Sequence, residues 1–282
     1  MKQYFTLLIF ACLFLTSTSY SQLKGKCVDE FGNGIPYVNI SIKGTSIGTV
    51  STMKGLFSFE NTSLKENDSL IFSHLNFEKK IIKNQLELNF IQLISKVESL
   101  EEVMVSNEKK EFKEKIVGSK TETKMILVNF LSKSLGTEIG KKIEVKKNKT
   151  YDIKNVQFNI VELGYKSATF RINFYTIKND HIDFVKINEV DNIVEITETG
   201  LVKVDVSNQY LSFENDFIVS IECIHLENDV NIEEENKQIR FSSKLFSGPF
   251  IWRNNVNVEW NDRRAKYNVG IEIHLKVEEY SK

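Results

Sequence analysis

"LKGKCVDEFGNGIPYVNISIKGTSIGTVSTMKGLFSFE", residues 23–60, is the stretch on which the fold turns. Val38, Ile40 and Ile42 alternate with Asn39, Ser41 and Lys43, and Phe57 and Phe59 share a face. Short runs of β-formers with a period of two, bounded by Gly, Asn and Asp, predict antiparallel strands with one buried face. Asp29 to Gly34 reads as a hairpin loop. Pro36 reads as the opening of the next strand, where no ladder donor is needed. Gly55 reads as the left-handed turn residue before Phe57. The stretch also contains GTSIG, Gly44 to Gly48, which fits the G-x-S-x-G of a nucleophile elbow. That device needs a strand, a sharp turn and a helix, with a histidine base held by an acid. After Ser46 the β-formers continue ("TVSTMKGLFSF"), and His74, His181, His225 and His274 occur in no supporting motif. Gly44 and Gly48 therefore read as bend glycines, and no residue is assigned a catalytic role.

Working outward, "DSLIFSHL" pairs Leu70 with Phe72, and "LEEVMVS" pairs Val103 with Val105. Taken together, these residues resemble the carboxypeptidase regulatory-like domain over about residues 22–106. The order G-K-x-x-D-x-x-G-x-x-[IL]-P-x-V-x-I-x-[IV]-K-G-T-x-x-G-T-x-[ST], then G-x-F-x-[FI], is all present. The resemblance implies a transthyretin-like β-sandwich, common in exported proteins of Bacteroidetes and often found ahead of outer-membrane receptors. It implies no catalytic group, because the domain is an accessory module in carboxypeptidases. Three positions depart from the pattern. Cys27 replaces a β-branched residue, Met53-Lys54 replaces acidic turn residues, and Asn76 stands where Gly is usual. Asn tolerates the left-handed region that this glycine serves.

Beyond residue 106 the pattern breaks. Residues 107–150 carry 12 Lys against 6 Glu, and residues 107–134 read as a basic, solvated linker, its start open to a short helix or a floppy connector and the run from Met125 a candidate for the first strand of the second domain. Alternation then returns. Val156, Phe158 and Ile160 share a face, as do Phe170, Ile172 and Phe174, and Phe217 to Cys223 alternate in odd positions. Phe250, Trp252, Val256, Val258 and Trp260 form an even-numbered run, and Ile271 to Val277 close the chain. Seven or more strands without a long amphipathic helix predict a second β-sandwich of jelly-roll type over residues 135–282. The whole chain is thus expected to be all-β. His274 falls with Glu272 and Lys276 on a polar, exposed face, and His74 falls on the parity of Phe72.

Exposed aromatics could stack on sugar rings. Tyr165, Trp252 and Tyr267 are the candidate ligand-binding residues, with Tyr165 placed on a loop. Parity argues for the core at both tryptophans. No zinc-ligand spacing is present, and neither a metal nor another cofactor is expected.

The start, "MKQYFTLLIFACLFLTSTSYSQ", has one basic residue, an apolar run from Tyr4 to Leu15 and small residues before Gln22. It reads as a signal peptide over residues 1–21, with no transmembrane segment after cleavage. Export makes nucleic acid an improbable partner. Cys27 and Cys223 read as buried strand residues, and their wide separation makes no disulfide framework. The reading is a non-enzymatic exported protein of the cell envelope, a binding, structural or interaction module. Its partner is an envelope protein or a glycan, and carbohydrate binding by the second sandwich is the alternative. A hydrolase reading is disfavoured.

Overall fold

The computed structural model describes residues 23–59, 67–83, 90–96, 111–120, 122–130, 135–178, 183–233, 236–245, 250–263 and 270–281. These form β1 (Leu23–Val28), β2 (Asn39–Ile42), β3 (Gly48–Val50), β4 (Leu56–Phe59), β5 (Ser69–His74), β6 (Phe77–Lys83) and β7 (Phe90–Gln92). They build a first sandwich from a three-stranded sheet, β4-β1-β7, and a four-stranded sheet, β3-β2-β5-β6. Its core holds Leu23, Cys27, Val38, Ile40, Ile42, Phe57, Phe59, Leu70 and Phe72, the face that the alternation assigns inward.

The turns follow from local chemistry. Asp29 Oδ1 accepts hydrogen bonds from the backbone N–H of Phe31 (2.9 Å) and Asn33 (2.8 Å), which closes the expected hairpin loop. Gly55 has φ +78°, and a Cβ there would lie 2.4 Å from the carbonyl oxygen of Cys27. Pro36 does not open β2. It lies in a turn with Tyr37, whose φ is +54°, and the strand begins at Asn39. Asn76 is not left-handed; its N–H donates to His74 Nδ1 at 3.2 Å.

The second sandwich comprises β8 (Phe112–Gly118), β9 (Leu127–Phe130), β10 (Glu138–Ile143), β11 (Lys149–Leu163), β12 (Ser167–Lys178), β13 (Asp183–Lys186) and β14 (Asn192–Ile196). It continues with β15 (Gly200–Asp205), β16 (Ser212–Phe213), β17 (Phe217–Glu227), β18 (Ile239–Ser242), β19 (Phe250–Arg253), β20 (Asn261–Arg263) and β21 (Ile273–Ser281). One sheet runs β13-β12-β17-β10-β19-β20, with β14 also on β12. The other runs β8-β21-β11-β18-β9, with β15 and β16 on β11. From β10 to β12, and again from β17 to β21, the chain crosses repeatedly between sheets, as in a jelly roll. Phe130, Phe158, Phe170 and Phe241 meet in the core at ring separations of 5.7 to 6.4 Å.

Three further expectations need correction. Residues 107–134 are not only a linker, because β8 pairs with β21 and β9 with β18, so the second sandwich begins well before residue 135. The even-numbered run does not continue to Trp260, because β19 ends at Arg253 and bends and turns follow. Trp252 packs against the main core, whereas Trp260 joins Tyr175, Ile218 and Ile251 in a separate cluster. His274 is not exposed: it is 1% accessible, with Nε2 3.0 Å from Gln157 Oε1, and Glu272 is buried too. The segment between β8 and β9 folds over this end of the sheet, where Ser242 Oγ donates to Thr123 O and Ser243 N to Ile126 O.

Candidate functional site at the junction of the sandwiches

β2 is buried along its whole length. Ile40 and Ile42 face their own core, while Asn39 and Ser41, on the face that alternation assigns to solvent, are covered by the second sandwich. Asn257 Nδ2 donates to Ser41 Oγ at 2.8 Å, and Asn39 hydrogen-bonds the Glu222 carboxylate. Tyr37 anchors the joint. Its ring packs with Val50, Leu135 and Ile224, and its carbonyl oxygen accepts a hydrogen bond from Arg171 Nη2 at 2.9 Å.

Behind that contact lies a buried network on the outer face of β12, β17 and β10. Arg171 Nη1 is 3.3 Å from Glu222 Oε2, and Arg171 Nε is 3.1 Å from Asp191 Oδ1. Glu138 Oε1 accepts from Asn173 Nδ2 (2.8 Å), Tyr175 OH (2.8 Å) and Ser220 Oγ. Its Oε2 accepts from Arg253 Nε (2.8 Å) and Nη2 (2.6 Å). The Arg253 guanidinium lies 4.2 Å from the Trp260 ring centroid, a cation–π contact. Burial opposes ionisation of Arg171 and Arg253, but the facing carboxylates outweigh it and hold both above the ordinary arginine value. Burial would likewise raise Glu222, yet Arg171 and Lys186 hold it below the usual carboxylate range. Arg171, Lys186 and Arg253 balance Asp191, Glu138 and Glu222, so the network is neutral in itself. Such matched, hydrogen-bonded pairs tolerate burial where a lone charge would not.

His74 sits at the margin of the network, its Nε2 3.7 Å from Asp191 Oδ2. Burial lowers its pKa to about 4, with Asp191 acting in the opposite sense.

Beside this sealed joint is an open groove of about 700 Å³, within the range of ligand clefts. One wall is the outward face of β4-β1-β7, carrying Lys24, Lys26, Leu56, Ser58 and Phe90. The other is the end of β17, with His225 and Leu226, and Leu135. A β-bulge aims the histidine. Across from β12, Cys223 pairs with Phe170 and His225 with Thr169, leaving Ile224 as the extra residue. Ile224 and His225 therefore both leave the core side, one to meet Tyr37 and the other to line the groove.

Of the candidate ligand residues, Tyr165 lies on a loop but is 9% accessible, with its hydroxyl 3.4 Å from Lys237 O. Trp252 is half-buried against the core. Tyr267 lies outside the described residues. The structure does not bring Tyr165 and Trp252 together on an exposed platform. Ser46 is exposed in the turn between β2 and β3, so a strand follows it, with Thr45 Oγ1 accepting from Ile47 N. Cys27 and Cys223 are both buried free thiols. Among the described residues no group of three His, Cys, Asp or Glu gathers at metal-binding distance, and no helix is long and apolar enough to cross a membrane.

The groove residues carry no motif. Lys24 and Lys26 stand on the outward side of β1 and Phe90 is exposed on β7, where such side chains are ordinary, and alternation continued past Cys223 would place His225 with the core residues Phe217 to Cys223. Only the bulge reverses it.

A comparison with curated proteins finds no match. Among solved structures, the cysteine protease and lectin-like domains of Cwp84, a surface layer associated protein of Clostridium difficile, are similar over 57% of this chain. The TM-score is 0.34 and the sequence identity 8%, and the likeness spans 37% of that chain. The family model of the CarboxypepD_reg-like domain matches residues 23–105, the stretch that contains the first sandwich, and this part of the chain is a carboxypeptidase regulatory-like domain.

Proposed function

We propose that this protein is a non-enzymatic binding component of the cell envelope, exported by its N-terminal segment, which takes its ligand in the groove where the two sandwiches meet. The observation that carries the reading is the buried network across the joint. It ties Tyr37 and Asn39 to Arg171 and Glu222, so the groove walls are held at a set spacing, and a preorganised cleft loses little freedom on binding. The converging charged groups satisfy one another, which favours a holding role over chemistry. A regulatory-like domain, an accessory module by type, fits the same role. Burial of Tyr165 and the packing of Trp252 weigh against a ligand site at those two residues.

A photo-crosslinking amino acid at Ser58, inside the groove, tests this against one at Asn231, on an exposed turn that does not line the groove. In envelope preparations the Ser58 position is expected to give a discrete adduct and the Asn231 position none. Equal labelling at both positions, or none at Ser58, would refute the groove as the binding site.

A further inference from the structure

The groove's lining specifies a ligand chemistry, given that the groove is where binding occurs. Among the described residues no Asp or Glu lines it, although the chain as a whole carries 38 acidic against 37 basic residues. Lys24 and Lys26 project from one face of β1, about 7 Å apart along the strand, and neither is ion-paired with a carboxylate among the described residues. In register, Lys26 stands between Leu56 on β4 and Phe90 on β7, and Lys24 stands opposite Ser58. Phe90 is 71% exposed. A row of leucine, lysine and an open phenyl face thus crosses the sheet, with Ser58, Thr49 and Thr52 supplying hydroxyls near it.

We infer that this platform binds an acidic saccharide. β1 is bonded on both sides, by β4 and β7, so a ligand lying across it is met by side chains alone. An extended peptide lying there would leave its own N–H and C=O groups without ladder partners. A sugar carries its polar groups around its rim, where hydroxyl and ammonium groups reach them, and offers a flat C–H face to the Phe90 ring. A neutral sugar would crowd two ammonium groups without a counter-charge, which is unfavourable as water is excluded. A uronate or phosphate-bearing sugar supplies that charge.

The probes are a galacturonate hexamer, a neutral glucose hexamer and poly-L-glutamate, titrated into the full mature chain by calorimetry. The galacturonate hexamer is expected to bind, more weakly as salt rises. The Lys24→Gln/Lys26→Gln protein should lose affinity about tenfold or more, and Phe90→Ala should lose several-fold. Unchanged thermal unfolding of each variant shows that its fold is intact. Equal or tighter binding of poly-L-glutamate, or of the neutral hexamer, overturns the saccharide or the acidic part of the inference respectively. No binding of the galacturonate hexamer overturns it outright. The Ser58 crosslink then reports separately whether the groove holds another kind of ligand.

Discussion

Glu138 accepts hydrogen bonds from four side chains and is fully buried. Its exchange for glutamine keeps the shape and removes the charge, which leaves the Arg253 guanidinium buried without its counter-ion. Glu138→Gln is expected to cost about 3–5 kcal/mol, read as a lower urea midpoint. Backbone constraint is equally local. At Gly55 a methyl group would meet the Cys27 carbonyl oxygen at 2.4 Å, whereas at Gly32, φ +84°, it would meet nothing within 4 Å. Gly55→Ala should therefore cost more than Gly32→Ala, which carries only the left-handed penalty of about 1–2 kcal/mol. Equal losses in the two denaturation curves would contradict the close approach. Burial pushes the Cys27 thiol up to about 12 and raises Cys223 as well. Both should resist a thiol reagent at neutral pH until the protein is unfolded.

At the scale of strands and loops, His74 at the end of β5 links the fold to pH. It faces Asp191, Arg171, Lys186 and Lys96. Its folded pKa is depressed, so its neutral form is the one that folding favours. Its contribution is intact above the unfolded value of about 6.5 and is lost as pH falls from there through about 4. Stability measured across this window should fall less steeply in His74→Gln than in the native protein. Much of this level was legible in the residues themselves. Val38, Ile40, Phe57, Phe72, Phe158 and Phe170 point inward as their alternation requires. The misses have physical causes. β8, "FKEKIVG", is an edge strand, and edges carry charge to avoid wrong pairing, so it looks like a linker. Asn39, Ser41 and Glu222 occupy the polar side of their strands, and nothing in a period of two says that another domain will cover that side. The Ile224 bulge shifts parity for everything after it, which hides His225.

For the molecule as a whole, the joint is expected to couple the unfolding of the two sandwiches. Arg171 touches Tyr37 of the first and Glu222 and Asp191 of the second. Arg171→Met would remove the link and leave the buried Glu222 carboxylate, and the half-buried Asp191 beside it, under-compensated, at a cost of about 3–5 kcal/mol. Calorimetry should then resolve two transitions where the native chain gives one, since coupled domains separate once their interface is weakened. A single sharp transition in the variant would mean that the apolar contact of Tyr37 with Ile224 suffices. The residues that make this joint come from separate strands and loops of both sandwiches, which is why no contiguous signature announces it.

The pairing of β8 with β21 also sets a timetable. Lys115 and Glu279 are 164 positions apart, so β8 leaves the ribosome long before its partner exists. The first sandwich can mature during synthesis, while β8 waits as an unmatched ribbon until β21 is made. A chaperone or a translocation channel that keeps this ribbon extended would serve the chain best during that interval, and slowed synthesis would lengthen the period in which it can aggregate.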